Sequence, residues 1–262
     1  MTTIVALDLE TTGLDPDRHH IWEIGAVVRD HRDPRYNGRW QIMLRPNLAA
    51  AEPAALRIGR YYERATPYVG DRDQPPSKVL GSDTGPVTWV VEAPPGKAGM
   101  GGWGPVTELG GVPRRAVARW LAQILDGATI VGANPAFDAG FMARFLRAHG
   151  HAPTWHHHLV DVAALTAGYL AGTRDGYNTS VEWLADAHNG SPQCGTCQVP
   201  PPDLDTVEIP TPAWRTGDLA DRLGVTCAPE LRHTALGDAA WALAIYDQVM
   251  TGKDSVGGGD RG

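Results

Sequence analysis

Cysteine is scarce in this sequence. Cys194, Cys197 and Cys227 are the three in 262 residues, too few and too unevenly placed for a disulfide framework, which points to a reducing compartment. Apolar runs of membrane-spanning length are missing. So is a basic segment ahead of a short apolar stretch, because a strand pattern begins directly after Met1. Neither a membrane partner nor a secretory signal is expected, and the predicted location is the cytoplasm. Basic charge is short as well: 23 Lys and Arg against 30 Asp and Glu leave a formal net charge of -7. That balance argues against a protein that coats duplex nucleic acid through many phosphate contacts. It does not argue against an enzyme whose carboxylates work with cations.

The length suits one decorated domain, read here as residues 1–250 followed by a disordered Gly-rich tail over 251–262. Residues 4–10, 21–29 and 38–45 read as three successive strands, the last two joined by the turn-rich "DHRDPRYNG". Helical patterns follow at 52–64 and 113–126, then a strand at 128–133 and a helix at 135–149. A strand at "HHLVD" and helices at 162–170, 216–223 and 234–250 complete the series. Strands first, then alternating helices and strands, predict an α/β fold with a mixed sheet flanked by helices. Two Gly- and Pro-rich stretches, 66–112 and 171–213, read as insertions, the first holding one strand at "VTWVVEA".

Acids stand where apolar residues are expected. In "IVALDLETTGLD" Asp8 and Glu10 share a face of the first strand about 7 Å apart, while Val5, Leu7 and Leu9 fill the other. The pair either lies past the strand end in solvent or anchors a cation, since unpaired carboxylates near a core are costly. In "NPAFDAGFMARF" Asn134 and Pro135 mark a helix start, and Asp138 shares a stripe with Phe141, Met142 and Phe145. Asp138 either favours the helix dipole or faces inward. In "HTALGDAAWALAI" Asp238 shares a stripe with Trp241, Ala242 and Ile245. Four inward acids would require cations, and two divalent ions about 3.5–4 Å apart would neutralise them. His233, five residues before Asp238, is either an exposed helix-start histidine or a base leaning toward the acids. The same spacing recurs at His156 and Asp161, but there it falls on an expected strand, which would send the two side chains to opposite faces.

In order, "DLETTGL", "NPAFDAGF" and "HTALGDA" resemble the three motifs of the DEDDh (DnaQ-like) 3′-to-5′ exonucleases, including the His-x4-Asp spacing of the histidine subclass. The resemblance covers residues 1–65, 113–170 and 214–250. It implies an RNase H-like fold with a five-stranded mixed sheet, and two divalent cations, Mg²⁺ or Mn²⁺. By resemblance, Asp8, Glu10 and Asp238 hold one cation, and Asp8 reaches the second, with Asp138 supporting it directly or through water. His233 is then the general base. Thr11, Thr12 and Leu14 lie beside the terminal nucleotide, and Asn134 and Phe137 near the scissile end.

The expected activity is removal of nucleoside 5′-monophosphates from 3′ ends of single-stranded DNA. A 3′-to-5′ exoribonuclease of the same family uses the same residues, and a non-catalytic nucleic-acid-binding module would need none of them. A proofreading role would require a DNA polymerase partner, docked through an insertion because the tail offers no apolar anchor. "CGTC" has the spacing of half a zinc site, with His188 and Cys227 as further candidate ligands to a structural Zn²⁺ at Cys194 and Cys197. The run "WHHH" at 155–158 could attract a metal too, but alternate side chains of a strand diverge, and it reads as a partly exposed strand start.

Overall fold

A computed structural model of the protein describes residues 3–33, 36–64, 87–92, 106–112, 114–172 and 215–251. The expectations for most of both insertions and for the tail, including Cys194, Cys197 and His188, lie outside the described residues. The strands are β1 (Ile4–Thr11), β2 (Ile21–Arg29), β3 (Gly38–Leu44), β4 (Val87–Glu92), β5 (Val106–Val112), β6 (Thr129–Gly132) and β7 (Val160–Asp161). They form one sheet in the order β5-β4-β3-β2-β1-β6-β7. Within the five strands β3-β2-β1-β6-β7, β2 alone runs antiparallel to the others. This is the five-stranded mixed α/β sheet expected from the sequence. The β4–β5 hairpin extends it past β3. The strand expected at "VTWVVEA" is β4, whereas β5 carries no strand-like alternation and a Gly-Gly pair, and forms as the partner that β4 provides.

The helices are α1 (Pro53–Ile58), α2 (Tyr61–Arg64), α3 (Arg114–Leu125), α4 (Pro135–Ala148), α5 (residues 162–172), α6 (Thr216–Arg222) and α7 (Ala235–Thr251). The single helix expected at 52–64 is broken, because Arg60 takes left-handed backbone (φ 52°) between α1 and α2. Both faces of β1 are covered. Val5, Leu7 and Leu9 pack with Val117, Leu121 and Ile124 of α3 and Phe141 and Met142 of α4. Ile4 and Ala6 pack on the opposite side against Ala239 and Leu243 of α7. Alternation along the strand therefore carries Asp8 and Glu10 to the α7 side.

The segment before β7 differs from the expectation. Only Val160 and Asp161 pair, with Val131 and Gly132, and residues 155–159 form a loop. Backbone bonds from Gly127 N–H to the Thr154 carbonyl and from His156 N–H to the Ala128 carbonyl, both 2.8 Å, tie this loop to the start of β6. Without a strand pleat the three histidines do not diverge: their ring centroids stand 4.5, 5.1 and 4.0 Å apart. Asp161 caps α5, its Oδ1 accepting the N–H groups of Ala163 and Ala164 at 2.8 and 3.2 Å.

Candidate active site

The site lies at the C-terminal end of β1, where the sheet opens. Parallel pairing of β1 with β6 stops at Ala6 and Val131, and a register shift between Glu10 and Thr11 interrupts the pairing with β2. The first turn of α7 crosses over β2 at Gly25, the residue opposite Asp8. A Cβ on Gly25 would stand 2.1 Å from the Ala235 backbone, so this glycine is what allows α7 so close. The turn is secured by Thr234, whose hydroxyl accepts the Gly237 N–H at 3.0 Å in the manner of an N-cap. Asp238, one residue on, then faces Asp8 and Glu10. Each of these three acids offers an oxygen, and the three oxygens lie within 4.8 Å of one another.

Asp138 comes from the first turn of α4 and is 3% exposed. The Leu9 N–H, beyond the last β6 pairing, bonds to its carboxylate. Asp138 is therefore buried beside Asp8 without joining the group of three. His233 is exposed at the rim on left-handed backbone, φ 57°. Its N–H donates to Oδ2 of Asp238 at 2.9 Å.

The electrostatics record how crowded the acids are. Burial pushes the Asp8 carboxyl well above the usual carboxylate range, and the charges of Asp138, Asp238, Glu10 and Glu23 push it further. Burial and then Glu23 raise Glu10 to about 8 against the opposing Arg64. Burial raises Asp138 to about 8 despite the Leu9 N–H. Asp238 is raised by burial, although Arg232, 2.9 Å away, opposes it. Oxygen donors arranged and strained in this way suit a hard divalent cation, which would remove the repulsion.

The remaining expected residues are placed as follows. The Thr11 hydroxyl donates to the Gly13 carbonyl at 2.7 Å, and the Thr12 hydroxyl accepts the His20 N–H at 2.9 Å. The Thr12 N–H is also used, on the His20 carbonyl. Both threonines thus brace their loop, which presents Leu14 at 73% exposure. Contrary to the expectation from the sequence, Asn134 does not cap α4 with its side chain. It adopts left-handed backbone at φ 62° and makes no side-chain cap bond, a conformation asparagine tolerates better than most residues. Phe137 is partly buried and packs on Phe141, centroids 4.9 Å apart.

Sequence reasoning missed two residues behind the acids. Glu23 is fully buried directly opposite Glu10 in the β1–β2 register. It receives both oxygens' bonds from Arg64 and one from Gln41, and accepts the Ala235 N–H at 3.3 Å. Arg64 also donates to the carbonyls of Gly59 (3.0 Å) and His233 (2.9 Å) and stacks over Trp22. An acid inside the apolar "IWEIGAVV" was the available signal for Glu23. Nothing local marks Arg64, because its role exists only once α2 meets β2.

No family model and no curated protein matches the chain. Solved structures that it resembles include E. coli Exonuclease I in complex with a dA16 oligonucleotide, at 14% identity and a TM-score of 0.45, over 96% of this chain and 41% of that one. The zinc-bound form of the E. coli ExoI–ssDNA complex matches at 13% identity and 0.46, over 97% and 42%. A product-bound exonuclease I structure matches at 15% and 0.42, over 96% and 44%. The chain thus spans less than half the length of these proteins.

Proposed function

We propose that the protein is a divalent-metal-dependent 3′-to-5′ exonuclease of the cytoplasm, which trims single-stranded DNA and releases nucleoside 5′-monophosphates. The observation that carries this reading is the convergence of Asp8 and Glu10 from β1 with Asp238 from α7, their oxygens within 4.8 Å and Asp138 buried alongside. Asp8, Glu10 and Asp238 would hold one Mg²⁺ or Mn²⁺ and Asp8 with Asp138 a second, ions that lower the pKa of water and offset charge on a leaving oxygen.

The chain's own residues supply the rest. His233 takes the proton of the attacking water at its imidazole, a contribution of ~10²–10⁴ in rate for a well-placed base. The water oxygen bonds to phosphorus as the bond to the 3′ oxygen of the preceding nucleotide breaks, leaving a shortened strand and a mononucleotide. Thr11 and Thr12 stiffen the loop that presents Leu14 to the terminal base, and Phe137 and Asn134 line the approach to the scissile bond.

The test uses single-stranded DNA and RNA labelled at the 5′ end, with Mg²⁺, Mn²⁺ or EDTA, beside Asp8→Ala and His233→Ala. The expected result is a ladder shortening from the 3′ end, faster on DNA and absent with EDTA and in both variants. Strands that are bound but left intact under every metal would overturn the catalytic reading, and faster trimming of RNA would overturn the choice of polymer.

A further inference from the structure

The histidine run lies far from the acids. The Ala128 carbonyl that accepts the His156 N–H adjoins Thr129, whose own N–H donates to the Thr3 carbonyl. Thr3 is five residues, or about 17 Å of strand, from Asp8. The loop is fixed at this end by the two 2.8 Å backbone bonds to Gly127 and Ala128. Three imidazoles project from it, and His157 and His158 are exposed. Each offers a ring nitrogen, and the three nitrogens lie within 4.8 Å of one another.

We propose that His156, His157 and His158 form a second metal site, selective for a first-row transition ion that prefers imidazole, such as Zn²⁺, over Mg²⁺. Two nitrogens on a tetrahedral zinc stand about 3.3 Å apart, given Zn–N bonds of ~2.0–2.1 Å. Rotation of two exposed rings closes the remaining distance without moving the tethered backbone. Three nitrogen donors and no carboxylate define the preference, since imidazole suits zinc, copper and nickel while Mg²⁺ favours oxygen. With three protein ligands at an exposed position, the fourth place on the ion is open to water.

Ion binding also carries a structural signature. The His158 N–H donates to Nδ1 of His156 at 3.2 Å. Ligation through Nδ1 displaces this bond, and ligation through Nε2 calls for the tautomer protonated at Nδ1, which cannot accept it. Either way the His158 amide loses its partner when the ion arrives.

The site is independent of the exonuclease reading, and its test is direct. Full-length Cys194→Ser/Cys197→Ser/Cys227→Ser protein, which removes all three thiols as competing ligands, is titrated with Zn²⁺ in excess Mg²⁺ by calorimetry. The same titration is run with His157→Gln/His158→Gln added. We expect the parent to bind one equivalent of Zn²⁺ more than the variant, with the His158 amide resonance shifting over the same titration. Nuclease activity in Mg²⁺ is expected to be equal in the two proteins. Equal stoichiometry and affinity in parent and variant, or a His158 amide that does not move, would overturn the site.

Discussion

Arg60, Asn134 and His233 hold left-handed backbone, at φ of 52°, 62° and 57°. Residues with a Cβ avoid this region at a cost of roughly 1–2 kcal/mol. Two of the three belong to the motifs, and Arg60 sits between the short helices that carry Arg64 to the site, so the strain gathers where function is proposed. Asn134→Gly is expected to be neutral or slightly stabilising, and Asn134→Ala to lose about 1 kcal/mol in urea unfolding. At the other end of β1, Asp30 shows the opposite balance to the site acids. Burial pushes its carboxyl up, but the Arg32 backbone N–H, the Arg32 guanidinium, the Thr3 hydroxyl and the Asp33 N–H together bring it down to about 2. A depressed folded value means stability that is present above the unfolded value of about 3.9 and is lost as pH falls toward 2. Wild type is therefore expected to exceed Asp30→Asn in thermal stability at pH 5, with the gap closing between pH 4 and 2.

At the scale of elements, the acids are aimed by contacts among β2, α2 and α7. Glu23 and Arg64 form a buried pair that also bonds the Ala235 N–H and the His233 carbonyl, so one guanidinium links α2 to the turn bearing the proposed base. Removing one partner strands the other's charge, and Arg64→Ala is expected to cost about 3–5 kcal/mol by urea unfolding. Glu23→Gln/Arg64→Met should recover part of that loss, because it leaves no charge uncompensated. Gly25→Ala acts on the same junction: its Cβ would meet the Ala235 backbone at 2.1 Å, forcing α7 outward at a cost of about 1–3 kcal/mol. These contacts also mark what was readable beforehand. Asp8, Glu10, Asp138 and Asp238 were legible because an acid on an apolar stripe breaks a local period. Arg64, the β5 strand and the gathering of the three histidines were not, because each depends on a partner distant in sequence or on a loop whose path no local pattern sets.

Across the whole molecule, five carboxylates, Glu23 included, stand close enough for Asp8 to feel the other four, against two guanidinium groups, Arg64 bonded to Glu23 from behind and Arg232 2.9 Å from Asp238. Hydrophobic packing on both faces of β1 holds these charges together against their repulsion, a cost that the proposed cations would offset. Removal of divalent ions with EDTA should then lower thermal stability. Mg²⁺ at a hundred times its dissociation constant should restore about 2.7 kcal/mol through binding to the folded state alone. Asp8→Asn separates this from a general salt effect. The variant loses a charge pushed by four neighbours, so in EDTA it should melt above wild type. It also loses a proposed ligand, so Mg²⁺ should stabilise it far less. Equal stabilisation of both proteins by Mg²⁺ would mean that the acids do not hold the ion, and the packing that confines them would then need another reason.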